Sequence, residues 1–329
     1  MKEKVFGGLS IVWLFHPDDI KTLFENEGKY PSRRSHLALK KYRKEKPEFY
    51  NNGGLLPTNG PEWARMRKAA QKPLTKQLLS NHIQAIDEAS LDFVDVLMAK
   101  IKTSPEITDM LEELKKFFAE VTGIVLFGLR LGAIQENLES CSEIATLMSE
   151  VEKINDRILQ TDGPIQSGPI YPKDAYLKIK ESQEFIRNYS LKCMEKCKEN
   201  SLVSAYEESG DLDHCDIVTL ISDFLLAGVD TSANTMAFLL YELSKSQEIQ
   251  ENLGKMTENA NIVKLNPDVL NQFKLGKAII KETLRLHPVS VGVGRYLDRP
   301  AVFSGYQVPQ GERELSCGFQ RSICSQPNI

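Results

Sequence analysis

An apolar pattern of helical period runs from residue 214 to residue 247, and it limits the possible folds more than any other feature. At 1.5 Å per residue such a helix is roughly 50 Å long and would cross a whole domain. Short strand patterns lie near the two ends of the chain. Further helical patterns cover 18–27, 61–80, 82–102, 107–128, 134–160, 173–200, 247–258, 267–272 and 274–286, and strand patterns cover 10–15, 291–296 and 301–308. The sequence therefore predicts one mainly α body with small β parts.

Composition excludes several classes of protein. The net charge is -4, with 41% hydrophobic and 26% charged residues, which is typical of globular chains and gives no basic field for nucleic acid. No apolar run approaches the ~20 residues that span a bilayer. The six cysteines form no CxxC pair, so we expect reduced thiols and neither a zinc site nor a disulfide framework.

The centre of the long helix carries unusual chemistry in the segment DFLLAGVDTSANT, residues 223–235. Gly228 lacks a side chain, so a flat ligand could approach the backbone there. The Thr231 hydroxyl can bond to the carbonyl of Ala227 and distort the helix locally, which leaves a polar notch beside Asp230. The alternative is a helix–helix contact packed on small residues.

Two other segments place polar groups on one helix face. In KETLRLHP, Glu282 and Arg285 are three residues apart, so they can pair, and their apolar flanks predict a partly buried pair with an organising role. In PEWARMRKAA, Trp63 and Arg67 are four apart, and an indole N–H with a guanidinium suits a carboxylate. An ordinary surface pair and an ordinary packed tryptophan are the respective alternatives.

In this order and at these separations the three segments resemble the cytochrome P450 family. The resemblance runs from about Gly8 to Gly311 and implies a mainly α, cytochrome P450-like fold with haem as cofactor. It implies that Trp63, Arg67 and Arg295 hold the haem propionates. The stretch Ala227-Gly228-Val229-Asp230-Thr231 is similar to the family's oxygen-binding groove, where the acid and the alcohol relay protons. Glu282 and Arg285 are similar to its structural pair.

The subgroup resemblance is to animal mitochondrial members. It is carried by GKYPSR (28–33), GLLPTNGPEWARMR (54–67) and KETLRLHPVSVGVGRYLDR (281–299). It implies a monooxygenase that inserts one oxygen atom of dioxygen into a lipophilic, sterol-like substrate at the matrix side of the inner mitochondrial membrane. The implied electron donor is an acidic, adrenodoxin-like ferredoxin that docks on Lys277 and Lys281. Plain solubility is the alternative role of these lysines.

The sequence departs from the family at its ends. The family ligates haem iron through a cysteine in a loop of the type FxxGxRxCxG, and no such loop occurs in these residues. The downstream cysteines, Cys317 and Cys324, lack the required neighbours, so we expect no axial metal ligand. We expect an incomplete domain at 1–311 and an unstructured tail at 312–329, typical of a splice variant or a shifted reading frame. The family's first helix and a transit peptide are likewise not visible.

These departures leave alternatives open. The chain as it stands is expected to be inactive, and it could be a non-catalytic isoform that keeps only a ferredoxin-binding or partner-binding helical body. An unrelated helical interaction protein, with coincidental motifs, is the remaining alternative. The basic run KKYRKEK at 40–46 predicts a solvated surface, with a patch for an acidic partner or for peripheral membrane contact as the alternative.

Overall fold

A computed structural model describes residues 2–4, 10–135, 142–162, 173–259, 265–290, 292–310 and 313–318. It is mainly α with a small sheet, as the sequence predicts. Within the described residues the helices are α1 (Pro17–Glu25), α2 (Leu37–Lys44), α3 (Gly60–Gln71), α4 (Lys76–Thr103), α5 (Met110–Phe127), α6 (Glu143–Asp162), α7 (Lys173–Met194), α8 (Leu202–Ser209), α9 (His214–Ser244), α10 (Gln247–Asn259), α11 (Pro267–Gln272) and α12 (Lys274–Leu286).

The long helix predicted from the sequence is α9. Asp213 caps it by accepting a hydrogen bond from the N–H of Asp216, which satisfies one of the free amides of the first turn. Its N-terminal half is buried against α5 and α7 in the main hydrophobic core. Its C-terminal half is more open, and Tyr241 is 53% exposed. The buried half of α9 thus anchors the segments that surround it.

Strands from both ends of the chain meet in one sheet of order β1-β2-β6-β3. The β2 strand runs parallel to β6, and β6 runs antiparallel to β3. A separate hairpin joins β4 to β5 through Ser304 and Gly305, both at positive φ, as a two-residue hairpin turn requires. The strands are β1 (Lys2–Lys4), β2 (Ser10–Leu14), β3 (Gly292–Tyr296), β4 (Ala301–Phe303), β5 (Tyr306–Val308) and β6 (Arg313–Gly318).

The β6 strand corrects the expectation of an unstructured tail from residue 312. Residues Arg313–Gly318 pair with β2 on one side and with β3 on the other. Backbone hydrogen bonds to two neighbouring strands stabilise a segment whose own sequence shows no strand period. Cys317 lies in this strand, opposite Val293 in register, whereas Cys324 lies outside the described residues.

The sequence patterns missed two short helices, α2 and α8. The basic run at 40–46, predicted to be a solvated surface, contributes most of α2, and its Tyr42 and Arg43 are fully buried. A carboxylate far along the chain accepts the Leu37 N–H at 2.9 Å at the start of α2. That carboxylate belongs to Asp162 at the end of α6, so no local pattern could signal where α2 begins. Among the described helices none is long and apolar enough to cross a membrane.

Candidate functional site

Residues from three parts of the chain line a cavity of about 650 Å³, a volume within the usual range of ligand sites. Trp63 and Arg67 reach it from α3, and Arg295 reaches it from β3. The structure therefore brings the three predicted carboxylate-binding residues together. The complete lining is Glu27, Pro31, Arg33, Arg34, Ser35, Leu55, Leu56, Trp63, Arg67, Ser290, Gly292, Val293, Gly294 and Arg295.

The cavity is strongly cationic, because four arginines and a single carboxylate line it. That carboxylate, Glu27, accepts a hydrogen bond from Arg295 Nε at 2.5 Å. Within the described residues no carboxylate lies within salt-bridge distance of Arg67. Guanidinium groups bind carboxylates through paired N–H donors. The cavity therefore suits a ligand that carries carboxylate groups.

Arg33, the last residue of the segment GKYPSR, also lines the cavity, and the sequence predicted no role for it. Its Nη2 donates to the Leu55 carbonyl at 2.7 Å and its Nε donates to the Leu56 carbonyl at 3.1 Å. Its guanidinium lies over the Trp63 ring, 5.6 Å from the ring centre. Burial, and then the neighbouring charges of Arg295 and Arg67, lower the pKa of Arg33. The sequence feature that could have indicated this residue is the basic side chain two positions after Pro31 in GKYPSR.

A buried ion pair behind residues 53–56 was not predicted. Arg43 is fully buried and its Nη2 lies 2.7 Å from Asp223 Oδ1. Asp223 Oδ2 accepts the Leu55 N–H at 3.0 Å, and Arg43 Nη1 donates to the Gly53 carbonyl at 2.9 Å. The pair thus fixes the backbone of the segment that forms one wall of the cavity.

The segment 227–231 is helical throughout within α9 and is not among the residues that line the cavity. Thr231 Oγ1 donates to the Ala227 carbonyl at 2.6 Å, as the sequence predicts, and both residues are exposed. The helix is continuous through 227–231, so the predicted local distortion of the helix was wrong. A Cβ on Gly228 would lie 3.0 Å from Thr122 Oγ1 on α5. That position matches the alternative of a helix–helix contact on small residues.

Asp230 is partly buried where α9 meets α6. Its carboxylate accepts a hydrogen bond from the side-chain amide of Asn155. Burial raises the pKa of Asp230, and the hydrogen bond from Asn155 opposes that rise. A carboxyl group with a raised pKa holds a proton more readily near neutral pH than an exposed aspartate does.

We expect Asp230→Asn to stabilise the chain at neutral pH. Burial raises the folded pKa of Asp230 above its ordinary value of 3.8, so the ionised group is less favourable in the folded state. Its contribution to stability is complete below the unfolded pKa and is lost as the pH rises through the folded pKa. Urea unfolding measures the free energy of unfolding of both proteins between pH 3.5 and 8. Plotted against pH, the values for Asp230→Asn and for the unaltered chain should converge at low pH. Asp95→Asn, an exposed change on α4, is the control, and parallel curves for Asp230→Asn would contradict the prediction.

Glu282 and Arg285 pair on α12, as the sequence predicts, through contacts of 2.8 Å and 2.6 Å. The expectation of partial burial was wrong, because the side chains are 56% and 52% exposed. Their apolar neighbours Ile280 and Leu284 are exposed too. Among the described residues, α9 is the main neighbour of α12, and it does not cover this face.

We expect Glu282→Ala to change the free energy of unfolding of this chain by less than about 1 kcal/mol, because exposed ion pairs contribute little. Thermal or urea denaturation measures the change. Lys21→Ala removes an exposed pair with Glu25 on α1 and serves as the matched control. A loss of several kcal/mol for Glu282→Ala alone would show that the pair has an organising role in this chain.

The remaining predicted residues lie apart from the cavity. Lys277 and Lys281 are exposed and four residues apart on α12. The cysteines Cys193, Cys197 and Cys215 are free thiols and do not line the cavity. In the described part of the chain, no group of three His, Cys, Asp or Glu residues is arranged to hold a metal ion.

Comparisons with known proteins agree on one family. The family model described as Cytochrome P450 matches residues 4–315. The Drosophila melanogaster protein "Cytochrome P450 302a1, mitochondrial" is 37% identical over 94% of this chain and 65% of its own length. The Ovis aries "Cholesterol side-chain cleavage enzyme, mitochondrial" is 28% identical over 94% of this chain and 62% of its own length.

A third relative is the Mus musculus "1,25-dihydroxyvitamin D(3) 24-hydroxylase, mitochondrial". It is 27% identical over 93% of this chain and 60% of its own length. The chain therefore spans between 60% and 65% of the length of these curated relatives. All three relatives are named as mitochondrial proteins.

Proposed function

The chain belongs to the cytochrome P450 family, and from that premise we propose that it provides the haem-carboxylate site and the proton relay of a monooxygenase. The reaction would insert one oxygen atom of dioxygen into a lipophilic, sterol-like substrate. Two of the relatives carry names that refer to a sterol, cholesterol, and to a vitamin D compound. The names of the relatives support a mitochondrial location, and we propose the matrix side of the inner membrane as the place within it.

The observation that carries the proposal is the cationic cavity. Haem has two carboxylate groups, and Arg67 and Arg295 line one cavity with Trp63 between α3 and β3. With Glu27 as the single acidic residue in the lining, these side chains fit the carboxylate end of that cofactor. Trp63 and Arg67 would bind one end of it from α3, and Arg295 would bind it from β3.

Haem, when bound by a thiolate, supplies the redox chemistry of dioxygen activation. The chain's own contribution would be to hold a proton near the reacting centre. Asp230 can carry that proton on its carboxyl group, because burial raises its pKa. Thr231, the next residue, is exposed. Its hydroxyl donates to the Ala227 carbonyl and can donate to a bound molecule instead. Ala227 and Gly228 would form the adjacent helix surface.

The electron donor would be an acidic, adrenodoxin-like ferredoxin. Lys277 and Lys281 are exposed on the same side of α12, one turn apart, and present two positive charges to such a partner. Charge complementarity of this kind mainly raises the association rate and makes it depend on salt. We propose no nucleic acid as a partner.

A second candidate function is that of a non-catalytic isoform, and one observation favours it. These 329 residues contain no FxxGxRxCxG segment, so we propose that a polypeptide made of them alone does not turn over substrate. Without a thiolate ligand, haem chemistry loses the electron donation that favours O–O cleavage. Such a polypeptide would keep the helical body and the α12 lysines as a partner-binding surface.

The test uses a polypeptide of residues 1–329, titrated with haem and followed by absorbance. We expect saturable binding that Arg67→Ala and Arg295→Ala weaken and that Lys68→Ala, an exposed change on the same helix, leaves unchanged. No binding by the unaltered chain would contradict the cofactor site. Reduction under carbon monoxide should give no thiolate-type band. Substrate turnover with ferredoxin and its reductase, abolished by Cys317→Ala or Cys324→Ala, would contradict the proposed inactivity.

A further inference from the structure

Helix α4 presents a row of apolar side chains to solvent. Its other face packs against α5, where Phe93 stacks on Phe117 with ring centres 5.0 Å apart. Four apolar side chains of α4 point away from that contact and are each 46–61% exposed; together they form the α4 stripe, Leu91, Val94, Met98 and Ile101. Large apolar side chains exposed side by side are typical of an interaction surface, whereas single ones are common on any protein.

The spacing within the α4 stripe is that of a coiled-coil seam. Its members follow one another at steps of three, four and three residues, which are the a and d positions of successive heptads. The row is about 15 Å long at 1.5 Å per residue. Gln84 and Asp87 occupy the two preceding positions of the same pattern, so the apolar seam begins at Leu91. The stripe therefore fits a short contact with one other helix of the same pattern.

Charged side chains beside the α4 stripe change sign along the helix. Glu88, Asp95 and Lys102 are seven residues apart and exposed, so they follow one line beside the stripe, at the e positions that set the orientation of coiled-coil partners. The ion pairs that α4 forms in the described part of the chain use Asp92 and Lys100. Glu88 and Lys102 are therefore open to pair with another molecule.

A second copy of α4 complements this pattern when the two helices run antiparallel. With Leu91 of one copy facing Ile101 of the other, and Val94 facing Met98, the apolar seams coincide over their whole length. Glu88 of each copy then lies beside Lys102 of the other, which gives two equivalent ion pairs across a two-fold axis. A parallel arrangement would place like charges at the same level of the helix pair.

We propose that the α4 stripe is the interface of a homodimer in which the α4 helices of two copies pack antiparallel. The dimer is weak, because four side chains bury less than the ~800 Å² per partner of a standard interface. The two Asp95 side chains also meet near the axis and repel each other. No residue of the stripe lines the candidate cavity, so the proposal is independent of the proposed function.

Sedimentation equilibrium of the 329-residue chain tests the dimer. The 37.1 kDa chain should be mainly monomeric at about 1 μM and mainly dimeric at about 200 μM, a range that brackets a weak interface. Met98→Glu places a charge in the centre of the stripe and should weaken the dimer at least tenfold. Leu79→Glu changes an equally exposed apolar residue of α4 outside the stripe and should leave the dimer unchanged. Circular dichroism and melting temperatures show that both variants are folded.

Charge exchange tests the antiparallel orientation. Glu88→Lys and Lys102→Glu each place like charges opposite each other in both pairs, and each should weaken the dimer about fivefold at low salt. The double variant restores opposite charges and should recover the affinity of the unaltered chain. High salt should reduce all of these differences, because exposed charges are screened. Both positions are exposed, so the substitutions leave the fold of the monomer intact.

Four outcomes would overturn the proposal. A chain that stays monomeric at every concentration has no such interface. A dimer that Met98→Glu leaves unchanged would use another surface. Failure of the double charge variant to recover the affinity would show that the helices do not pair antiparallel. Binding of the monomer to phosphatidylcholine vesicles, lost in Met98→Glu and without self-association, would assign the stripe to a lipid surface instead.

Discussion

Replacing Asp223 by alanine is expected to lower the free energy of unfolding by about 3–5 kcal/mol, because it leaves a buried charge without its partner. Arg43 is 0% exposed, and Asp223 is the carboxylate that faces it at 2.7 Å. The change also removes the acceptor of the Leu55 N–H. Since folded chains keep only about 5–15 kcal/mol of net stability, a loss of this size removes a large part of the free energy of unfolding. Urea unfolding followed by circular dichroism measures it.

The control replaces both partners. Arg43→Met together with Asp223→Leu removes both charges and should recover most of the loss, because an apolar pair of similar volume fits a buried site. The exposed pair of Glu282 and Arg285 has equally short contacts. Glu282→Ala therefore measures how much an ion pair of this kind contributes to the free energy of unfolding when it is exposed to water. A loss below about 1 kcal/mol for Asp223→Ala would mean that water reaches Arg43 and that the pair does not hold the wall.

Replacing Gly54 by alanine is expected to be nearly as damaging, with a loss of about 3 kcal/mol or more. Gly54 has φ +89, a conformation that residues with a side chain rarely adopt. An added Cβ would lie 1.9 Å from Arg43 Nη1 and 2.8 Å from Asp223 Oδ2. Because both atoms belong to the buried pair, the methyl group can be accommodated only by separating the two charges.

Two other glycines separate the clash from the backbone strain. Gly60 has φ +75 and no atom within 4 Å of its added Cβ, so Gly60→Ala should cost only about 1 kcal/mol, from strain alone. Gly254 lies in α10 with open space and no positive φ, so Gly254→Ala should stabilise by about 0.5–1 kcal/mol. Equal losses at Gly54 and Gly60 would show that the methyl group does not disturb the pair.

Both changes should also weaken the candidate site, although neither residue lines the cavity. Asp223 and Gly54 fix the segment 53–56, and Leu55 and Leu56 form part of the wall. A variant that folds partly would therefore bind a dicarboxylate porphyrin less tightly than its remaining folded fraction predicts. Porphyrin titration at several temperatures, beside the unfolding curve, separates the two effects.

The predictable parts of this molecule depend on short separations in sequence. The period of apolar residues predicted α9, and the same kind of pattern placed Trp63 and Arg67 on one face of α3. The spacing of Glu282 and Arg285 predicted their contact, which the structure contains. In each case the geometry of a single helix decides which side chains meet.

The burial of charged side chains and the contacts between distant residues could not be predicted from residue spacing. Arg43 lies in a run of basic residues that predicts a solvated surface. It is buried nevertheless, because Asp223, 180 positions away, faces it. The Glu282 and Arg285 pair has apolar flanks, yet it is exposed. Whether a charge is buried depends on what packs over it, and the spacing of residues on one helix does not contain that information.

The sequence by itself determined the mainly α class, the long α9 helix, the local pairs and the family to which the chain belongs, because each rests on periodicity or on motifs at fixed spacing. Only the tertiary structure decided that Arg33 lines the same cavity as Arg67 and Arg295, that residues 313–318 pair between β2 and β3, and that Arg43 holds the cavity wall through Asp223. These contacts join residues far apart in the chain, and packing of the whole body, rather than any local propensity, makes them favourable.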